Sequence, residues 1–211
     1  MSRAVRAALL LITVLLVPAA AIGQQLQAPD VLLKRISEEV LQVMREDGAV
    51  QSGAPAAIAA LVEAKILPHF DFRRATQIAA GRAWRQASDT QRERLASEFR
   101  TLLVRTYAGA LAGYRNHRIE FLPLREASDT EATVRSRVRQ PGGEPIAVEY
   151  DLAREVDGAW KVFDVRIAGI SLVATYRSAF AEEVRNYGID GLIRTLEAKN
   201  RQGTNLASRR M

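Results

Sequence analysis

Apolar residues recur along this chain with two different periods, and the change from one to the other falls near Arg118. Upstream the spacing is three and four, the mark of helices that bury one face. Leu33, Ile36, Val40, Val43 and Met44 follow it and predict a helix over Val31–Glu46. Ala28-Pro29-Asp30 is its start, with Asp30 as cap, and Asp47-Gly48 is its end. A second helix is predicted from about Pro55, a favoured first-turn residue, through Ile58, Leu61, Val62 and Ile66 until Pro68. Phe70-Asp71-Phe72 leads into a shorter one that ends at Gly81. The longest begins at the capping residues Ser88-Asp89-Thr90, with Glu93 supporting its first turn. Its apolar stripe is Leu95, Phe99, Leu102, Leu103, Tyr107, Leu111 and Tyr114, while Arg92, Arg94, Arg100 and Arg105 fall largely off it. Such a stripe has to be buried against something.

Beyond Arg118 the period becomes two. Ile119 and Phe121 open a strand. From Glu131 to Gln140, Ala132, Val134, Ser136 and Val138 alternate with Arg135, Arg137 and Arg139. Pro141-Gly142-Gly143-Glu144 is a turn, after which Ile146, Val148, Tyr150 and Leu152 alternate with Ala147, Glu149 and Asp151. Asp157-Gly158 is the strongest hairpin signal, and Trp160–Ile167 is the returning strand. There Trp160 and Val162 have the opposite parity to Phe163 and Val165, which predicts a bulge or a strand packed on both faces. The arginine row is expected opposite Glu149 and Asp151 as cross-strand pairs. Two helices follow, Ile170–Asn186 and Ile189–Lys199, separated by Tyr187-Gly188; Arg201–Met211 is predicted to be disordered. The fold class is therefore α+β, a curved four-stranded antiparallel sheet with helices packed on one face.

The first residues have a different character. Arg3 and Arg6 precede an apolar run from Ala7 to Val17, followed by the small residues around Ala21 and Gly23. That is the pattern of a cleaved signal peptide over residues 1–23. As a helix the run would span only about 16 Å, half of a bilayer core. A single domain over 24–200 is then expected in the periplasm. No Cys stands at the cleavage site to carry an acyl anchor, and with no Cys anywhere the exported chain must be stabilised by its core. Loss of Arg3 and Arg6 lowers the net charge from +6 to +4. The basic residues are interleaved with Asp and Glu, and no basic block with stacking aromatics is present, so nucleic acid is not an expected partner. A mildly basic surface suits transient contact with anionic headgroups or acidic proteins.

Candidate chemistry is sparse. The two histidines, His69 and His117, lie at element boundaries without metal-ligand spacing. No phosphate loop, dinucleotide fingerprint or nucleophile elbow occurs. Ser171 reads as a helix N-cap rather than a nucleophile. Asp164 interrupts an apolar strand end. It is expected in an ion pair with Arg166, Arg177 or an arginine of the neighbouring strand; the alternative is a general base in a small hydrolase or isomerase. No catalytic residue, metal or cofactor is expected. With 48% hydrophobic residues, the chain reads as a binder with a large apolar interior, or as an interaction module whose interior is solid.

Several stretches carry a resemblance. They are Leu67-Pro68-His69-Phe70-Asp71-Phe72 with Gly81–Ala87, Gln91-Arg92 leading into Phe99–Tyr107, and Val148-Glu149-Tyr150-Asp151-Leu152. Further on stand Trp160-Lys161-Val162-Phe163-Asp164-Val165, Gly169–Arg177, and Gly188-Ile189-Asp190-Gly191-Leu192-Ile193 before Leu196 and Lys199-Asn200. In this order they resemble the MlaC family of periplasmic phospholipid-binding proteins, also called the toluene-tolerance family; Thr175 departs from the Asn expected before Tyr-Arg. The resemblance implies an apolar cavity between sheet and helices that holds phospholipid tails with the headgroup outside. It implies a carrier shuttling phospholipid between outer and inner membranes and maintaining outer-membrane lipid asymmetry. The implied partners are an inner-membrane ABC transporter with its substrate-binding ring and an outer-membrane lipoprotein–porin complex. Periodicity and alternation give the inward-facing set that would touch such a ligand. It comprises Phe99, Leu103, Tyr107 and Leu111 from the long helix, Val148, Tyr150, Phe163, Val165 and Ile167 from the sheet, and Val173, Tyr176 and Phe180 from the following helix. Gly109, Gly113 and Gly169 are candidate hinges.

Overall fold

The computed structural model describes residues 27–109, 111, 117–124 and 126–208. The expected signal peptide, Gly113, Tyr114 and residues 209–211 lie outside them. The helices are α1 (Pro29–Glu46), α2 (Gly48–Gln51), α3 (Pro55–Lys65), α4 (Phe72–Ala80), α5 (Arg82–Gln86), α6 (Asp89–Tyr107) and α7 (Arg177–Ser208). The strands are β1 (Arg118–Phe121), β2 (Glu126–Ala127), β3 (Glu131–Arg139), β4 (Ile146–Arg154), β5 (Trp160–Ile167) and β6 (Ile170–Ser171).

Local chemistry accounts for the helix starts. Pro29 and Pro55 open α1 and α3, where a missing N–H costs nothing. Asp30 lies inside the first turn of α1 and is not its cap; the Ala28 cap position makes no side-chain bond. Asp71 caps α4 through the Arg74 N–H at 2.9 Å. Ser88 caps α6, as expected, in a reciprocal box with Gln91.

The sheet runs β1-β3-β4-β5-β6, antiparallel throughout, with β2 pairing β3 beside β1. The four strands read from the sequence are all present, but the count of four is too low. Two-residue strands such as β2 and β6 carry no readable alternation. In β3, Ala132, Val134, Ser136 and Val138 are buried and Arg137 and Arg139 exposed, as the alternation requires. The parity change in β5 is a bulge: Asp151 pairs with Asp164 and Leu152 with Val162, so Phe163 has no partner. Its effect is to return Val165 to the face that already carries Val162 and Trp160.

The helix predicted from Ile170 begins only at Arg177. Ala168 and Gly169 take positive φ, 49° and 81°, and fold the chain back so that Ile170 and Ser171 pair with Ile167 and Arg166. A single-turn 3-10 helix, Ala174–Tyr176, then precedes α7. The two predicted C-terminal helices are both present within α7, broken at Gly188, whose φ of 69° and ψ of −178° are not helical, and the second runs to Ser208 instead of stopping near Lys199. The stretch beyond Lys199 has no apolar stripe, so periodicity could not register it. Of the arginine row, only Arg135 stands opposite one of the two carboxylates expected to face it. Arg135 faces Glu149 in register, but Glu149 and Asp151 both bind Arg166 of β5, at 2.8 and 2.6 Å, and Arg139 binds Glu120 of β1 at 2.9 Å.

Two separate apolar clusters form. The first joins α1, α2 and α3 to the sheet through residues such as Ile36, Met44, Leu61, Val134, Leu152 and Val162. The second joins α4, α6 and α7 through Ala79, Leu95, Phe99, Phe180, Ile193 and Leu196.

Candidate ligand pocket

At the seam between the two clusters lies a pocket of about 240 Å³. One wall is α3 and the segment after it, with Val62, Ile66, Leu67, Phe70 and Phe72. The facing wall is the C-terminal half of α6, with Leu103, Val104 and Tyr107, continued by Ala108 and Leu111. Phe163 and Val165 of β5 form the sheet side, and Leu172 and Val173 close the remaining side. Protein interiors are normally packed with few voids larger than a water molecule. A space of this size between well-packed bodies is a feature of the fold.

Two lining residues carry polar side-chain atoms, and neither makes the pocket polar. Asp164 is 7% exposed. Its Oδ1 accepts from the Val165 N–H at 2.8 Å and the Val173 N–H at 3.2 Å, and its Oδ2 accepts from the Ser171 hydroxyl. The expected ion pair of Asp164 is thus corrected, because Arg166 is held by Glu149 and Asp151. Ser171 in turn is not the N-cap of α7; its oxygen accepts from the Ala174 N–H at 2.8 Å and shapes the turn before it. Both Asp164 oxygens are engaged in fixing the Ser171–Val173 wall. Tyr107 is the other polar residue: burial, with the Tyr176 hydroxyl as a lesser cause, pushes its phenol up to about 12.

Of the residues expected to face the interior, Leu103, Tyr107, Leu111, Phe163, Val165 and Val173 come together around this pocket. Phe99, Tyr176 and Phe180 do not line it. They pack on one another in the second cluster, with both neighbouring ring centroids 5.1 Å from that of Phe99. Phe99 lies one turn before Leu103, so the α6 stripe passes from solid core to pocket wall along its length. Val148, Tyr150 and Ile167 also stay outside the lining. Val148 pairs with Ile167 and Ser136, and Tyr150 stacks on Phe121 at 6.4 Å.

The spacing of Ile58, Leu61, Val62 and Ile66 predicts α3, but Val62 and Ile66 are absent from the ligand-facing set drawn from the sequence. α3 buries Ile58, Leu61 and Val62 and exposes Ala56, Ala59, Ala60 and Glu63, so a single face serves both the core and the pocket wall. Among the described residues, no group of three or more His, Asp or Glu is placed to hold a metal ion, and no helix is long and apolar enough to cross a membrane.

Comparison with known proteins gives consistent matches. The profile of the MlaC protein family matches residues 34–198. The intermembrane phospholipid transport system binding protein MlaC of Haemophilus influenzae is 25% identical over 189 residues, 88% of this chain and 87% of its own length. A toluene tolerance protein of Pseudomonas putida is 30% identical over 106 residues, 50% of this chain and 49% of its own length. The structure of a phospholipid-binding protein from Ralstonia solanacearum, solved in complex with a phospholipid, is similar with a TM-score of 0.77 at 38% identity. That match covers 84% of this chain and 99% of the other.

Proposed function

Because the chain belongs to the MlaC family, we propose that it is a periplasmic phospholipid carrier whose pocket receives acyl chains. It would move phospholipid between the outer and inner membranes, in support of outer-membrane lipid asymmetry. Its partners would be an outer-membrane lipoprotein–porin complex and the substrate-binding ring of an inner-membrane ABC transporter. The observation that carries the reading is the pocket of about 240 Å³ lined almost wholly by apolar side chains.

The physical task fits those walls. Each methylene exposed to water costs about 0.8 kcal/mol, so free diffusion of a two-chain lipid faces a barrier on the order of 20 kcal/mol or more. A wall of Leu, Val and Phe side chains replaces that hydration without any chemical step. Selection is then by chain volume. A cavity of about 150 Å³ holds the six carbons of benzene; by the same ratio this pocket admits roughly ten carbons. That is part of one acyl chain, so loading has to enlarge the space.

The direct test is native mass spectrometry of the purified protein, followed by extraction and identification of bound lipid. Phospholipid at near-stoichiometric amount is the expected result. Leu103→Trp narrows the pocket, and excluding two methylenes costs about 1.6 kcal/mol, a little over tenfold in affinity. A protein that carries no lipid and takes none from vesicles would refute the carrier reading and leave the interaction module.

A further inference from the structure

The pocket is walled by helices that belong to different bodies. α6 packs on α4 and α7, whereas α3 packs on α1, α2 and the turn that follows it. Yet α3 and α6 face each other across the pocket. Two arginines span this seam from outside. Arg100 of α6 ion-pairs with Glu63 of α3 and lies over the ring of Phe72, 5.8 Å from its centroid. Arg74 of α4 ion-pairs with Glu131 of β3 and lies 4.1 Å from the ring centroid of Phe163. Phe72 and Phe163 both line the pocket, so each guanidinium covers the outer side of a pocket aromatic. Glu63 adjoins Val62, and Arg100 precedes Leu103 by one turn, which sets this pair across the α3–α6 gap at the level of the pocket.

The other ties between the bodies are of a different kind. The Asp71 N–H donates to the Val162 carbonyl at 2.8 Å, and the Val173 N–H donates to Asp164 at 3.2 Å. Main-chain bonds of this sort leave orphaned polar groups when they break. The arginine pairs are partly exposed, with side-chain accessibilities of 38% and 53% for Arg100 and Glu63, and 33% and 57% for Arg74 and Glu131. Water readily takes over both partners of such a pair. A wall that must move will therefore part at the ion pairs and turn about the main-chain ties.

We infer that acyl chains enter by separation of the body of α4, α6 and α7 from that of α3 and the sheet, and that Glu63–Arg100, between α3 and α6, and Arg74–Glu131, between α4 and β3, are the latches holding that seam closed; the inference rests on the carrier reading above. Weakening two exposed pairs shifts an opening equilibrium by roughly two- to thirtyfold.

The test follows uptake of a fluorescent phosphatidylcholine from uncharged vesicles by lipid-free protein, read as a rate and as a final occupancy. Glu63→Gln with Glu131→Gln is expected to load several-fold faster to the same occupancy. The chain has no Cys, so Glu63→Cys with Arg100→Cys can be joined by a reducible bis-thiol cross-linker. The cross-linked protein is expected to load at least tenfold more slowly and to recover on reduction, which also shows that it stayed folded. Unchanged rates in either arm overturn the latch while wild-type uptake preserves the carrier reading. Wild-type protein that loads no lipid overturns both.

Discussion

Replacing Asp164 by alanine removes the acceptor for three donors at once. In the native protein the Val165 and Val173 N–H groups and the Ser171 hydroxyl all point at its carboxylate, and Val173 is only 3% exposed. A hydrogen bond to a charged group contributes about 1.5–3 kcal/mol, and a buried donor left without a partner costs about 1–3 kcal/mol. The three are not additive, since they share one side chain. Removing the carboxylate also relieves its own burial penalty. The expected net loss is about 2–4 kcal/mol, a large fraction of the stability of a domain this size. Asp164→Asn keeps the Oδ1 acceptor and presents an amide to Ser171, whose hydroxyl can rotate to accept, so about 1 kcal/mol is expected. Urea unfolding at neutral pH measures both: at a slope near 2–3 kcal/mol/M, the alanine variant should unfold about 1 M earlier with the slope unchanged. An alanine variant within 0.5 kcal/mol of wild type would refute the argument that this carboxylate pins the pocket wall.

Two further outcomes follow from the backbone and from Tyr107. Gly188 has φ 69° and ψ −178°, a region essentially closed to other residues, while a Cβ there would meet nothing within 4 Å. Gly188→Ala should therefore cost about 1–3 kcal/mol through the backbone alone, read as a lowered Tm. Tyr107 has its phenol raised from 10 to about 12, by burial first and Tyr176 second. Between those values the unfolded chain releases the phenolic proton and the folded chain keeps it, so this contribution is complete below pH 10 and is lost as pH rises toward 12. Absorbance titration should show one late-ionising phenol that is missing in Tyr107→Phe, and the variant's stability should fall less over that window.

The architecture was legible wherever a period ran long enough. α1 and β3 each repeat their burial pattern over many residues, and even the β5 bulge was visible as a change of parity at Phe163. What was not legible had local or non-repeating causes. The turn at Ala168-Gly169 depends on backbone angles and on Asp164 reaching across to Val173, so a continuous apolar stretch read as helix. At the pocket, periodicity identifies which side of α6 faces inward but not where along that side packing stops. Phe99 and Leu103 lie on one stripe; one is sealed against Tyr176 and Phe180 and the other borders empty space. α3 is read correctly as a helix from the spacing of Ile58, Leu61, Val62 and Ile66, but spacing cannot tell that Val62 and Ile66 border the pocket while Ile58 and Leu61 are sealed in the core.

That division of α6 gives the carrier reading its energetic logic. The N-terminal half is fixed by the Ser88–Gln91 box and by Leu95 and Phe99, both 0% exposed, while the C-terminal half faces the void. The pocket is partly open to solvent, so its apolar walls meet water until a chain covers them. Burying roughly ten methylene carbons there contributes about 8 kcal/mol, comparable to the whole stability of a typical domain. A bound chain therefore stabilises the folded protein through the same walls that give it affinity. Filling the space permanently with larger side chains should accordingly stabilise the protein and abolish carriage together, because one void is responsible for both.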